Sequence, residues 1–200
     1  MPEQPQTARG AATYQRILDA ATEEFAQHGI AGARIDRIVT SARTNKAQLY
    51  AYFGDKERLF DAIFLGSLER ITNVVPIDAD DLADWAVRLY DEYLRRPDLI
   101  RLATWTRLER RPAGHLVETH EHYDDRKLSA IAEAQAAGRV RAGNPFDIMA
   151  MVISMSMAWS PVSNVYAASS QEPDDAHDRR RALLRDCVRT VTAAGQDDGQ

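Results

Sequence analysis

The sequence predicts an all-α chain, and three observations carry that prediction. Apolar residues recur at helical spacing through nearly every segment. No stretch alternates apolar and polar residues as a half-buried strand does. Gly, Pro, Asn and Asp punctuate the chain at helix-length intervals, where caps and stops belong. No internal repeat is visible.

The first helix is expected over Thr13 to His28, with Ile17, Leu18, Ala21 and Phe25 on one face. Gly29 can take the left-handed conformation that closes a helix, and Ile30 can then pack back on Phe25. A short helix follows over Ile35 to Ser41, with Ile35, Ile38 and Val39 inward. Ala42, Arg43 and Thr44 form a three-residue turn. A third helix is expected over Lys46 to Phe53, where Asn45 suits the N-cap and Gln48 suits a capping box. Gly54 ends it.

Asp55 caps a fourth helix, with Glu57 in its first turn, where the dipole favours an acid. Its apolar stripe is Leu59, Phe60, Ile63, Phe64, Leu68 and Ile71. Beyond Pro76, helices are expected over Asp80 to Arg95 and, past Pro97, over Asp98 to Arg110. A long helix over Leu116 to Ala137 places Leu116, His120, Tyr123, Lys127, Ile131 and Ala134 on one face, and Gly138 closes it. Asn144, Pro145 and Asp147 are a strong helix start. That helix carries Ile148, Val152, Met155 and Trp159 and ends near Pro161. A polar loop, Ser169 to Asp175, leads to a last helix over Ala176 to Ala194, striped by Leu184, Cys187, Val188 and Val191.

Two hundred residues, 44% hydrophobic and 28% charged, suffice for a core without disulfides or metals. The single cysteine, Cys187, excludes a disulfide framework and reads as a small core hydrophobe. A reducing cytoplasm is the expected location. The first dozen residues are polar and carry no apolar signal segment. The longest apolar stretch, Ile148 to Ala158, is too short to cross a bilayer, so no membrane partner is expected.

Net charge is −5, but its distribution is uneven. Residues 1–60 hold eight Lys/Arg against seven Asp/Glu, and residues 33–58 hold six against three. A short basic segment therefore sits on an otherwise acidic chain. It coincides with two short helices joined by a three-residue turn, which is a helix-turn-helix. A second helix that enters a major groove needs polar or small outward side chains. Arg43, Thr44, Lys46, Ala47 and Gln48 qualify, with Asn45 at the same edge. Leu49 and Phe53 are its inward anchors. Tyr50, Tyr52 and Lys56 flank it and suit phosphate contacts, which set register without reading sequence. Gln48 fits either a capping box or a base contact. Tyr50 can pack its ring and present its hydroxyl. Arg34 and Arg37 read equally as a solvated face.

The stretch from Arg16 to Phe64 resembles the tetracycline-repressor-like (TetR/AcrR) transcriptional regulators. The resemblance rests on Ile17, Leu18, Ala20, Ala21, Phe25, Gly29, Ile38, Leu49, Tyr50, Tyr52, Phe53, Lys56, Leu59 and Phe60, and most closely on the run Leu49 to Glu57. Three positions depart from the family pattern. Arg43 and Thr44 stand where Gly and Val are usual, and Arg34 stands where Ser or Thr usually caps the second helix.

The resemblance implies a helix-turn-helix DNA-binding domain over 10–56 and a helical effector-binding and dimerisation domain over 57–194. The ends, 1–9 and 195–200, are expected to be disordered. It also implies a homodimer through the last two helices, a double-stranded palindromic operator, and a small-molecule effector that releases the operator. Candidate pocket residues are Tyr90, Trp105, His120, Tyr123, Met155 and Trp159, an aromatic set suited to a hydrophobic or aromatic ligand, with plain core packing as the competing reading.

His115, Glu118, His120 and His122 cluster in sequence; Glu118 and His122, four apart, could share a helix face, but His120 and His122, two apart, could not, no HExxH is present, and no metal or cofactor is expected. No catalytic triad, phosphate loop or dinucleotide fingerprint points to an enzyme. The other readings are an interaction module without an effector, and an activator rather than a repressor. The run Arg179-Arg180-Arg181 reads as a solvated basic patch.

Overall fold

The computed structural model describes residues 7–116 and 125–194. Among them are nine helices: α1 (Ala8–Gly32), α2 (Ile35–Ser41), α3 (Lys46–Phe53), α4 (Lys56–Val74), α5 (Leu82–Arg95), α6 (Pro97–Glu109), α7 (Asp125–Ala136), α8 (Pro145–Ser156) and α9 (Asp174–Thr192). No strand forms among the described residues. Val140 and Ala193 make one isolated antiparallel bridge. The chain divides into two compact units: residues up to 70 together with 98–116, and residues 71–97 together with the chain beyond 116.

In the first unit, α1 starts earlier than its apolar face requires. Thr7 accepts a hydrogen bond from the Gly10 amide at 3.1 Å and caps it. Ile17, Ala21, Phe25, Ile38, Leu49, Leu59 and Phe60 are fully shielded from solvent. Phe25 and Phe60 meet edge to face at 5.2 Å. The helical spacing thus brings α1 to α4 onto one core.

Gly29 closes the first helical segment of α1 as expected: at φ 72° and ψ −176° it is not helical, and a further short turn follows the kink to Gly32. The amides freed by the kink are capped from a distance. Glu109, at the end of α6, accepts hydrogen bonds from the Ile30 amide at 3.1 Å and the Ala31 amide at 2.8 Å. Trp105 donates its indole N–H to the Ala26 carbonyl at 3.3 Å. Arg110 adds ion pairs to Asp61 and Glu57 and lies 4.7 Å over the Phe60 ring.

The start of α2 is capped in the same indirect way. Arg34 makes no side-chain cap. Instead the Glu24 carboxylate on α1 accepts from the Arg34 amide at 2.8 Å and from Arg37 Nε at 2.8 Å. Burial by itself would raise the Glu24 pKa. The Arg37 and Arg34 hydrogen bonds outweigh it and hold the carboxyl below its ordinary range.

In the second unit, α5 packs against α8 and α9, and α7 against α8. Trp85, Ala86, Tyr90, Ile131, Val152 and Val188 form the buried centre. Pro97 begins α6 rather than merely interrupting the chain, because a proline fits a first helical turn. α8 stops at Ser156, so Trp159 lies in the turn beyond it. α7 begins at Asp125; the expected helix over 117–124, including His120 and Tyr123, falls outside the described residues.

Two sequence readings of α9 are corrected. Cys187 is exposed. The buried stripe runs through His177, Arg180, Leu184, Val188 and Thr192, and the residue before Val188 turns away from it. Arg180 is buried rather than solvated, paired with Glu172 at 2.6 Å. Arg181 pairs with Asp91 and Asp178, each at 2.8 Å.

Replacing Gly29 by Ala should lower stability by about 1–3 kcal/mol from the backbone conformation alone. It should cost more because the added methyl would meet Trp105 at 2.8 Å as well as the Glu109 carboxylate. A thermal melt of G29A checks this, and an unchanged midpoint would refute it. Glu24→Gln should cost about 2 kcal/mol at neutral pH. The folded Glu24 pKa lies below the ordinary 4.5, so its contribution is complete above that value and fades as pH falls through the depressed one. Denaturant titrations at neutral and acid pH should therefore show the gap between wild type and E24Q closing in acid.

Candidate nucleic-acid interface

The reading element is built from α2, the turn 42–45 and α3. α2 ends in a Schellman motif: the Arg43 amide bonds to the Thr40 carbonyl at 3.2 Å and the Thr44 amide to the Val39 carbonyl at 3.0 Å. The motif demands a left-handed residue. Arg43 supplies it at φ 51°, the one non-glycine described residue with positive φ. The departure from Gly at this position therefore leaves the turn in place and costs backbone strain. Arg16 on α1 supports the same turn by donating to the Ala42 carbonyl at 3.1 Å. Sequence reasoning missed this prop because 26 residues separate the two groups.

α3 starts at Asn45, whose side chain accepts from the Gln48 amide at 2.9 Å. Only half of the capping box forms. The Gln48 side chain accepts from the Thr44 hydroxyl at 2.7 Å through Oε1 and donates to the Tyr52 hydroxyl at 3.4 Å through Nε2. The chain Thr44–Gln48–Tyr52 thus holds an amide in one orientation beside the helix N-terminus. Leu49 and Phe53 point inward and are buried. Tyr14 on α1 stacks on Phe53 at 4.8 Å and meets the Tyr52 edge at 5.6 Å.

The structure leaves each sequence-selected interface residue accessible. Arg43, Asn45, Lys46, Ala47 and Tyr50 are exposed, while Thr44, Gln48, Tyr52 and Lys56 are half-buried. Lys46 forms an ion pair with Asp36 on α2 at 2.8 Å, and both side chains are more than half exposed. The hydrogen bond to Asp36 raises the Lys46 pKa, so the ammonium stays charged. Such surface pairs contribute about 0–1 kcal/mol, which makes Asp36 easily exchanged for a phosphate. Lys56 lies 3.4 Å from the carbonyls of Ala31 and Ala33, clipping the start of α4 to the chain after α1.

The sequence-selected pocket residues divide. Tyr90 and Trp159 come together in the second unit, edge to face at 5.8 Å. Tyr90 is buried, Trp159 and Met155 half-buried. Trp105 belongs to the first unit, where it packs on Gly29 and bonds to Ala26. His120 and Tyr123 lie outside the described residues. His177, buried and hydrogen-bonded to the Tyr90 hydroxyl at 2.8 Å, was not singled out from sequence. Its spacing of three and seven residues from Arg180 and Leu184 is the signal that could have found it. Among the described residues no group of three or more His, Cys, Asp or Glu is placed to hold a metal. No described helix is long and apolar enough to cross a membrane.

Relief of the strained turn is measurable. Arg43→Gly should raise stability by about 0.5–1 kcal/mol, because glycine accepts positive φ at little cost. Urea midpoints of wild type and R43G decide it, and a destabilised variant would refute the strain.

Comparison with known proteins adds to this geometry. Residues 17–63 match the family described as bacterial regulatory proteins, tetR family, and residues 81–190 match the tetracyclin repressor-like C-terminal domain. The HTH-type transcriptional repressor SCO4008 of Streptomyces coelicolor is 40% identical over 148 residues, covering 72% of this chain and 77% of its own. The crystal structure of the regulator SCO4942, also from Streptomyces coelicolor, superposes with a TM-score of 0.78 at 38% identity, covering 90% of this chain and 98% of that one. Salmonella enterica GusR shares the fold alone, with a TM-score of 0.70 at 20% identity over 93% of this chain and 97% of its own. With a reading helix capped and anchored as a helix-turn-helix requires, and with both parts of the chain matched, the protein belongs to the TetR family of bacterial regulatory proteins.

Proposed function

We propose that this protein is a DNA-binding transcriptional repressor that leaves a palindromic operator when a small molecule binds. The carrying observation is α3 itself. Its N-terminus is capped by Asn45, its inner face is anchored by Leu49 and Phe53, and Lys46, Ala47 and Tyr50 face outward. Arg43, Thr44, Asn45, Lys46, Ala47, Gln48, Tyr50, Tyr52 and Lys56 form the DNA contact set. The Gln48 amide, held between Thr44 and Tyr52, is the candidate base reader. Lys46, Tyr50 and Lys56 take phosphates.

Residues 10–56 serve as the DNA-binding domain and 57–194 as the effector-binding and dimerisation domain. The exposed Met151 on α8 and Leu183 on α9 support a homodimer through the last two helices. A two-fold dimer sets its reading helices about 34–36 Å apart, one turn of DNA, or a multiple of it. The Tyr90–Trp159 pair supports an effector site in the second domain. A DNA-bound regulator works in the cytoplasm.

Purified protein used to enrich genomic fragments, followed by footprinting, should reveal a short protected palindrome. Lys46→Ala should lower operator affinity about tenfold and reduce the salt slope by about one, as expected for one lost phosphate contact. Tyr50→Ala should weaken binding likewise, with helical content unchanged by circular dichroism. Unaltered affinity in both variants would overturn the assigned interface. A protein that enriches no DNA would instead favour an interaction module.

A further inference from the structure

The turn between α2 and α3 holds the one non-glycine described residue with positive φ, Arg43 at 51°. Glycine is the ordinary occupant of such a position, because it enters the left-handed region at little cost. A strained conformation of this kind persists only where its surroundings over-determine it, and such conformations gather at functional sites.

The surroundings of Arg43 do over-determine it. Ala42, on one side, is buried, and its carbonyl accepts from Arg16 Nε at 3.1 Å. Thr44, on the other, is fixed twice. Its amide bonds to the Val39 carbonyl at 3.0 Å, and its hydroxyl donates to Gln48 Oε1 at 2.7 Å. Asn45 then caps α3. The Arg43 side chain is therefore rooted at one defined place, directly ahead of the reading helix.

Its charge is also free. Arg43 is exposed, and no described residue takes its guanidinium in a hydrogen bond or ion pair. The other two cations of the proposed contact set are engaged. Lys46 pairs with Asp36 at 2.8 Å, and Lys56 rests 3.4 Å from the carbonyls of Ala31 and Ala33. Each gives up a partner before it meets a phosphate, and the Asp36 carboxylate then stays near Lys46 to repel that phosphate. Arg16 and Arg37 are spent inside the unit, on the Ala42 carbonyl and on Glu24. Arg43 gives up only water.

Placement decides what Arg43 touches. In a helix-turn-helix the first helix crosses the DNA backbone, and the N-terminal residues of the second reach base edges. Arg43 follows the end of α2 and precedes the Asn45 cap, outside α3, so it belongs to the part that meets the backbone.

We infer that Arg43 is the main phosphate clamp of this DNA-binding unit, contributing more to affinity than Lys46. The left-handed turn is kept at some loss of stability because it sets this charge beside the reading helix. The inference rests on reading the α2–α3 face as the DNA interface and assigns what one of its residues contacts.

The test measures full-length wild type and variants by fluorescence anisotropy on two duplexes, the footprinted palindrome and a random sequence at low salt. Arg43→Gln keeps the left-handed backbone and removes the charge. It should weaken binding to both duplexes more than about tenfold, further than Lys46→Ala does, and lower the salt slope by about one. Arg43→Gly should lose as much affinity although its urea midpoint rises, so affinity and stability move in opposite directions. Arg43→Lys restores a point charge and should bind within about threefold of wild type. Full affinity in R43Q, or a smaller loss than in K46A, would overturn the inference. A loss in R43K as deep as in R43Q, or a loss confined to the palindrome, would mark a base contact and overturn the phosphate assignment. An R43Q protein that is less stable yet binds DNA normally would leave Arg43 as a partner of the α2 dipole alone, which also overturns it. Unaltered binding in K46A and Y50A as well as in R43Q would overturn the interface itself, whereas losses in those two with R43Q intact would overturn only the role of Arg43.

Discussion

The arrangement of the first unit depends on one buried carboxylate. Glu24 on α1 accepts from the Arg34 amide and from the Arg37 side chain, so it both caps α2 and fixes it to α1. α2 has no side-chain cap of its own. Only residues 42–45 separate α2 from α3, so whatever sets α2 also sets the reading helix. Arg16 on the Ala42 carbonyl and Tyr14 on Phe53 complete the attachment from the same helix. α1 thus acts as the beam from which the reading face hangs. The ion pair is stabilising because its carboxylate is well bonded; burial alone would have favoured the neutral form.

The same solution appears at α6. The kink at Gly29 frees amides that a local cap would ordinarily take, and Glu109 takes them from far along the chain. Arg110 joins α6 to α4 through Glu57, Asp61 and the Phe60 ring. α6 therefore belongs to the unit that holds the reading helix, although α5 and α7, its neighbours in sequence, belong to the other. Any displacement of α6 would be felt at the end of α1 through these bonds. In the second unit α5 is the organising element, and Tyr90 on it meets both Trp159 and His177.

Much of the architecture was legible in the residues. The limits of α2 and α3 follow from turn chemistry and the Asn45 cap, and the inward roles of Leu49 and Phe53 from helical periodicity. The Asp55 and Asn144 caps form as their residue types dictate. These are local signals, acting within one turn of helix, and a single sequence carries them in full. The exposed outer face of α3 follows in the same way, since anchoring one side of a short helix turns the other to solvent.

What the sequence could not disclose involves partners distant along the chain. Arg34 looked like a missing cap until Glu24 was placed beside it. Trp105 looked like a pocket residue, but its indole N–H serves the Ala26 carbonyl. Gly29 is the helix stop its residue type suggests, but the amides of the turn beyond it are taken by Glu109, 79 residues after Ile30. Arg180 looked solvated because three arginines in a row usually are, and only the packing of α9 on α5 buries it against Glu172. By itself the sequence determined the helices, their local caps and which face of α3 is turned to solvent. The tertiary structure decided which charges are buried and which backbone groups they satisfy, because such pairings depend on distance in space rather than spacing along the chain.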